Sequence, residues 1–121
     1  MAYINDEVFD AGLDYATANG TRMDICSSEP ANYAGIAAVS LGNKAGLTVG
    51  AAQAGAVDGR RVVVPAITDG SVTADGTAAF WALSDATAVL IASGALSASQ
   101  VVTNGNTFTL GTTDIAIRNA A

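Results

Sequence analysis

Residues 76–96 read GTAAFWALSDATAVLIASGAL, the most apolar part of the chain, and they hold Trp81, its one tryptophan. Successive side chains of a strand point to opposite sides, so Trp81 and Leu83 share one face and Phe80 and Ala82 the other. Both faces then carry a large apolar group. A strand of that kind lies deep in a layered fold, with inter-sheet core on one side and a helix, loop or subunit on the other. Trp81 reads as a packing residue and not as a ligand platform, because no cluster of aromatics or pair of acids accompanies it; once buried, its indole N–H needs a partner.

The neighbouring sequence extends this pattern into a run of short strands. Asp75-Gly76 between two alternating runs predicts a hairpin, and Ser84-Asp85-Ala86 marks a break before the next apolar run. Downstream, Asn104-Gly105 predicts a turn, followed by Phe108 with Leu110 and then Ile115 with Ile117. Upstream, RRVVVPAIT at 60–68 is a strand whose Pro65 favours an edge or bulged position, since proline has no N–H for a ladder. TRMDICSS at 21–28 alternates Met23 and Ile25 against Arg22, Asp24 and Cys26, a short strand with one buried face; Cys26 points away from that face or into a second contact.

Between these lies SSEPANYAGIAAVSLGNKAGLTVG at 27–50, read as irregular after Pro30. Strand alternation then follows at Ala37, Val39 and Leu41, a turn at Gly42-Asn43, and a further short strand with Leu47 and Val49. Residues of about 50–59 lack large side chains and end in an Asp58-Gly59 turn, which predicts a loop or arm. Residues of about 5–19 predict a helix: Asn5 caps it, Asp6 and Glu7 suit the positive end of its dipole, and Gly20 takes the left-handed position after the last turn. Val8, Phe9, Gly12, Leu13 and Ala16 form its apolar face. Asp6, Asp10 and Asp14 follow at i, i+4 on a solvated or partner-facing side.

Seven or eight short strands with few helices predict a mainly β fold. The expected form is a small antiparallel β-sandwich or related β fold with one N-terminal α-helix, in a single domain over 1–121 whose β-rich body covers about 21–118. The candidate core residues are Phe9, Leu13, Ile25, Phe80, Trp81, Leu83, Phe108, Ile115 and Ile117. The core is thin for its length, because much of the 50% hydrophobic content is alanine and the 121 residues include one tryptophan, three tyrosines and three phenylalanines. Thin cores gain from binding a partner or further copies, which stabilises the folded form by mass action.

Charge and motif content narrow the function classes. Eleven acids against five bases give a net charge of -6, the wrong sign for a phosphate-binding surface, so direct nucleic-acid binding is not expected. The acidic start MAYINDEVFDAGLDY lacks the basic and apolar regions of a signal peptide. No stretch reaches the roughly 20 apolar residues of a membrane helix, so no membrane association is expected either. Cys26 is the one cysteine and there is no histidine, which leaves no intrachain disulfide and no ordinary base for a catalytic thiolate. No Walker loop, Rossmann glycine fingerprint, HExxH or cysteine cluster is present, and the acid-glycine pairs in DGRR, TDGS and TADGT read as turns and not as calcium loops. No enzyme activity, cofactor or metal is expected.

Three segments carry a family likeness: ICSSEP at Ile25–Pro30, WALSD at Trp81–Asp85 and DIAIR at Asp114–Arg118. In this order, behind an N-terminal helix, they resemble a group of small proteins encoded among the virion structural genes of tailed bacteriophages. The likeness runs over most of the chain. It implies a capsid decoration or cement protein that binds the major capsid protein on the outer surface of the capsid, at capsomer junctions, and stabilises the head. Self-association, with a trimer favoured, and synthesis in the host cytoplasm are part of the same expectation. The alternatives are a tail, neck or fibre-associated virion protein, or an exposed glycan-binding module.

Overall fold

The computed structural model describes residues 5–55 and 59–117. The chain is mainly β, with 50% of residues in strands and 18% helical, arranged as two antiparallel sheets and an N-terminal helix. Helix α1 (Asp6–Asn19) leads into β1 (Arg22–Cys26), a short helix α2 (Tyr33–Val39) and β2 (Ser40–Lys44). There follow β3 (Gln53–Ala54), β4 (Arg60–Val64), β5 (Ile67–Val72), β6 (Gly76–Ser84), β7 (Leu90–Val102), β8 (Thr107–Leu110) and β9 (Thr113–Ile117). The larger sheet has the order β7-β6-β1-β2-β5-β8 and the smaller one β3-β4-β9.

Helix α1 begins as its sequence predicts. The Asn5 side chain accepts a hydrogen bond from the Glu7 N–H at 2.8 Å, satisfying one of the donors a helix leaves free at its start. Its end differs from expectation. Gly20 has φ -75°, not the left-handed value, and closes the helix by donating its N–H to the Ala16 carbonyl. A side chain there would come within 2.6 Å of that carbonyl and 3.1 Å of Leu83 and Val49, so glycine serves close packing and not turn geometry. The buried face is Phe9, Leu13 and Ala16, while Val8 is 63% exposed and Gly12 is also outside. Asp10 is not on a solvated face: its carboxylate accepts from Arg60 Nε at 2.9 Å and Nη2 at 3.3 Å, tying α1 to β4.

The main core fills the space between one face of the larger sheet and the layer made by α1 and the smaller sheet. Leu13 and Ala16 from α1 and Val62 and Val64 from β4 meet Met23, Ile25, Leu83 and Phe108 of the larger sheet. Each large apolar side chain fully buried here contributes about 1.5–3 kcal/mol. The opposite face is covered by α2, where Ile36 packs with Cys26 and Ala82, and Phe80, Tyr33 and Leu90 close around them. Strand β1 is thus buried on both faces, with Met23 and Ile25 in one cluster and Cys26 in the other.

Of the candidate core residues, Phe9, Leu13, Ile25, Leu83 and Phe108 are buried, and Phe80, Trp81 and Ile115 are half-buried against the clusters. Ile117 is a correction. It is 37% exposed near the end of β9, where its Cδ1 lies beside Gly12 of α1, because the outer side of that helix has no further layer over it.

Four local expectations are also corrected. Residues 33–39 are helical: the Asn32 side chain accepts from the Gly35 N–H at 2.9 Å, and Ile36 turns inward. Gly42-Asn43 lies inside β2, opposite Ile25 and Asp24, where a side chain at 42 would strike the Ser71 carbonyl at 2.4 Å. Leu47 and Val49 lie outside any strand, although Val49 is buried and Leu47 is packed against the core. Asp75-Gly76 joins no hairpin, since β5 and β6 are separated in the sheet by β2 and β1. There the chain crosses the end of β2, with the Thr73 and Ala74 N–H groups donating to the Leu41 carbonyl.

The hairpin of this region is β6–β7, closed at the Ser84-Asp85-Ala86 break. Pro65 falls just past β4, which is the middle strand of its sheet and not an edge. The loop predicted over about 50–59 holds β3 and Gly59, whose φ is +70°; Asp58 and Arg118 lie outside the described residues.

Candidate functional site

The buried polar residues among those described are Asp24 on β1 and Ser84 on β6, its neighbour. Asp24 is fully buried, accepts from Arg22 Nε at 2.9 Å and Nη2 at 3.1 Å, and accepts a third hydrogen bond from Ser40 Oγ at 2.7 Å. The hydrogen bonds that Arg22 donates to Asp24 hold its guanidinium above its already high range. Such a closed carboxylate is a structural tie, since removing one partner leaves a buried charge uncompensated. Burial, aided by the Asp24 charge, pushes the Cys26 thiol up to about 12, so the thiolate that a nucleophile or metal ligand requires is scarce at neutral pH. No group of three or more acid, cysteine or histidine side chains among the described residues is placed to hold a metal ion. No helix among them is long and apolar enough to cross a membrane.

The surface charge is one-sided. Each described cation faces a carboxylate: Arg22 with Asp24, Lys44 with Asp69, Arg60 with Asp10 and Arg61 with Asp114. Glu7, Asp14 and Glu29 remain exposed without such a pair. Asp85 is held below the usual carboxylate range by hydrogen bonds from the N–H groups of Val89, Ala88 and Thr87, at 2.8 to 3.0 Å.

A cavity opens beside Trp81. Between Phe80 and Ala78 of β6, β7 runs from Ala95 all the way to Gln100, so Leu96–Ser99 have no register partner and bulge away from the sheet. Opposite this bulge lies the link from β8 to β9. The two segments bound a cleft of about 320 Å³. Its half-buried base is Trp81, Leu96 and Leu110, all packed against the main core. Exposed polar side chains stand around it: Ser97 and Gln100 from the bulge side, Thr112 and Asp114 from the other.

Trp81 lies across Gly94 of β7, its register partner, so closely that a side chain at 94 would come within 2.9 Å of the indole Nε1. The indole N–H has no hydrogen-bond partner in the described residues and is not sealed from solvent. Asp114 accepts from Arg61 Nη1, while Arg61 Nε is buried without a partner. A second, smaller hollow of about 160 Å³ lies beside Arg22, Tyr33 and Ile36 and is backed by the closed Asp24 network.

Alternation in the sequence thus places Trp81 and Phe80 on the correct faces, but it hides the cleft. The cleft depends on a slip in register between β6 and β7, and the local sign of it is SASQ at 97–100, a run of small and polar residues between the apolar ends of the strand. Ile25 of β1 pairs with Trp81 and Cys26 with Phe80, while Asp114 lines the cleft that Trp81 floors. No family model, curated protein or solved structure matches the chain.

Proposed function

We propose that the chain is a structural protein of a tailed-phage virion that binds the major capsid protein on the outer surface of the head at capsomer junctions and stabilises it. The observation that carries this reading, beside the likeness in sequence, is the surface. The chain carries a net charge of -6, and each described cation is neutralised by a carboxylate. An acidic exterior suits the outside of a shell better than its DNA-facing interior. Self-association, with a trimer favoured, is supported by apolar groups left outside the core: Val8 and Tyr15 on α1 and Val101 on β7. Strand β7 ends the larger sheet and contains no charged residue or proline over its whole length, so apart from its bulge it carries none of the features that oppose pairing with another chain.

The test is a mass-spectrometric copy count on separated heads and tails from virions that carry the protein. Decoration predicts a number matching the capsomer junctions and retention on heads. A few copies retained on tails, or no copies in the particle, would remove the reading.

A further inference from the structure

We propose that the cleft floored by Trp81 binds a neutral saccharide. This goes beyond the structural role above and does not depend on it. Three features define the ligand. Trp81, Leu96 and Leu110 offer a half-open apolar base, which suits the C–H face of a pyranose ring laid on an indole. Around that base stand groups that both donate and accept, the Gln100 amide and the hydroxyls of Ser97 and Thr112. That mixture matches a ring of hydroxyls, each of which needs a donor and an acceptor once removed from water.

Charge sets the third feature. Among the described residues Asp114 is the one ionised side chain lining the cleft, and Arg61 is already engaged with it. A phosphate, sulfate or sialic carboxylate would meet no cation among the described residues that line the cleft. A neutral sugar hydroxyl can donate to the Asp114 carboxylate, a charge-assisted bond that Arg61 strengthens by fixing the acceptor. The cavity is at the small end for ligand sites and is open on one side, so it holds one or two rings of a longer chain.

Since Trp81 is the one tryptophan, its emission reports on this cleft alone. The experiment titrates the intact protein with lactose, maltose and cellobiose, with glycerol and sialyllactose as comparators, following Trp81 fluorescence. Expected is a saturable change with at least one neutral disaccharide and none with glycerol. In Gln100→Ala the affinity should fall about tenfold, the loss of one good hydrogen bond, at an unchanged melting temperature because Gln100 is exposed. Asp114→Asn should weaken binding likewise, and its melting curve shows whether the variant is folded. No saturable change with any neutral disaccharide overturns the proposal. So does binding that both variants leave intact, or a response that glycerol reproduces at equal concentration. Head retention of the protein is a separate measurement, and neither result decides the other.

Discussion

The larger sheet contains the same device twice, with opposite outcomes. Phe108 on β8 lies over Gly70 of β5, its register partner, and Trp81 on β6 lies over Gly94 of β7. In both, a glycine leaves room for an aromatic ring on the next strand: a side chain at 70 would come within 2.2 Å of the Phe108 ring, and one at 94 within 2.9 Å of the indole. Yet Phe108 is 3% exposed and Trp81 is half-open. The pairing itself does not seal an aromatic. What seals Phe108 is the layer packed over it, with Val62 and Val64 of β4 in the same cluster, whereas Trp81 floors a cleft beside the β7 bulge together with Leu96 and Leu110.

Truncating each ring tests this difference most strongly. Phe108→Ala should cost about 3–5 kcal/mol, transfer energy plus the cavity left in a closed core. Trp81→Ala should cost about 2 kcal/mol, because part of its surface is already in water and the space left joins the cleft. Chemical denaturation of both variants checks the order; equal losses would mean that the cleft is closed in solution. The glycines give the reverse experiment. Gly70→Ala overpacks a closed site and should cost about 3 kcal/mol, the upper end for such changes, while Gly94→Ala should cost about 1 kcal/mol because the indole can shift toward the cleft.

The next comparison is between neighbours on β4. Arg60 reaches Asp10 across the α1 interface with both groups about a third exposed or less, at 23% and 32%; Arg61 reaches Asp114 within the smaller sheet, where the carboxylate is 43% exposed. Asp10→Ala should therefore cost about 1 kcal/mol, the top of the range for partly exposed pairs, and Asp114→Asn about half as much. A double-mutant cycle with Arg60→Ala isolates the first pair. A coupling near zero would show that α1 is held by Phe9, Leu13 and Ala16 alone.

Much of this architecture is legible from short-range signals. Asn5 marks the start of α1, alternation through 80–83 assigns both faces of β6, and Asn104-Gly105 does form a turn, with Gly105 at φ +92°. The failures have a shared cause. Ala37, Val39 and Leu41 alternate as in a strand, but Asn32 caps a helix and Ile36 anchors it over Cys26 and Ala82, a contact with residues distant in the chain. Asp75-Gly76 has the chemistry of a hairpin, yet β6 pairs with β1, so the turn signal serves a crossing instead. Asp24 reads as the outer side of a strand until Arg22 and Ser40 are seen to enclose it. Each failure is a case of tertiary packing deciding between local options of similar energy. The cleft belongs with them, because a register slip is a property of two strands and cannot be read from either one.

The smallest expected effect concerns the loop that closes the β6–β7 hairpin, separated from the Trp81–Gly94 pair by a register slip between Leu83 and Ser84. The Asp85 carboxylate gathers the N–H groups of Thr87, Ala88 and Val89, and Ala86 takes a left-handed φ of +66° to let the loop close onto Leu90, the partner of Ser84. These hydrogen bonds favour the ionised form, so the carboxyl titrates lower in the folded chain than in the unfolded one. The sign follows from linkage: the loop's contribution is complete above the ordinary carboxylate range and is lost as pH falls through the lower folded value, where the proton returns. Asp85→Asn keeps an acceptor oxygen but removes the titration. Its melting temperature should be slightly below that of the parent at neutral pH, and the gap should close toward acid. Hydrogen exchange at Val89 and Leu90 should rise with the same pH dependence, while exchange at Phe108 stays unchanged. A gap that persisted undiminished in acid would show that Asp85 acts through loop shape and not through its charge.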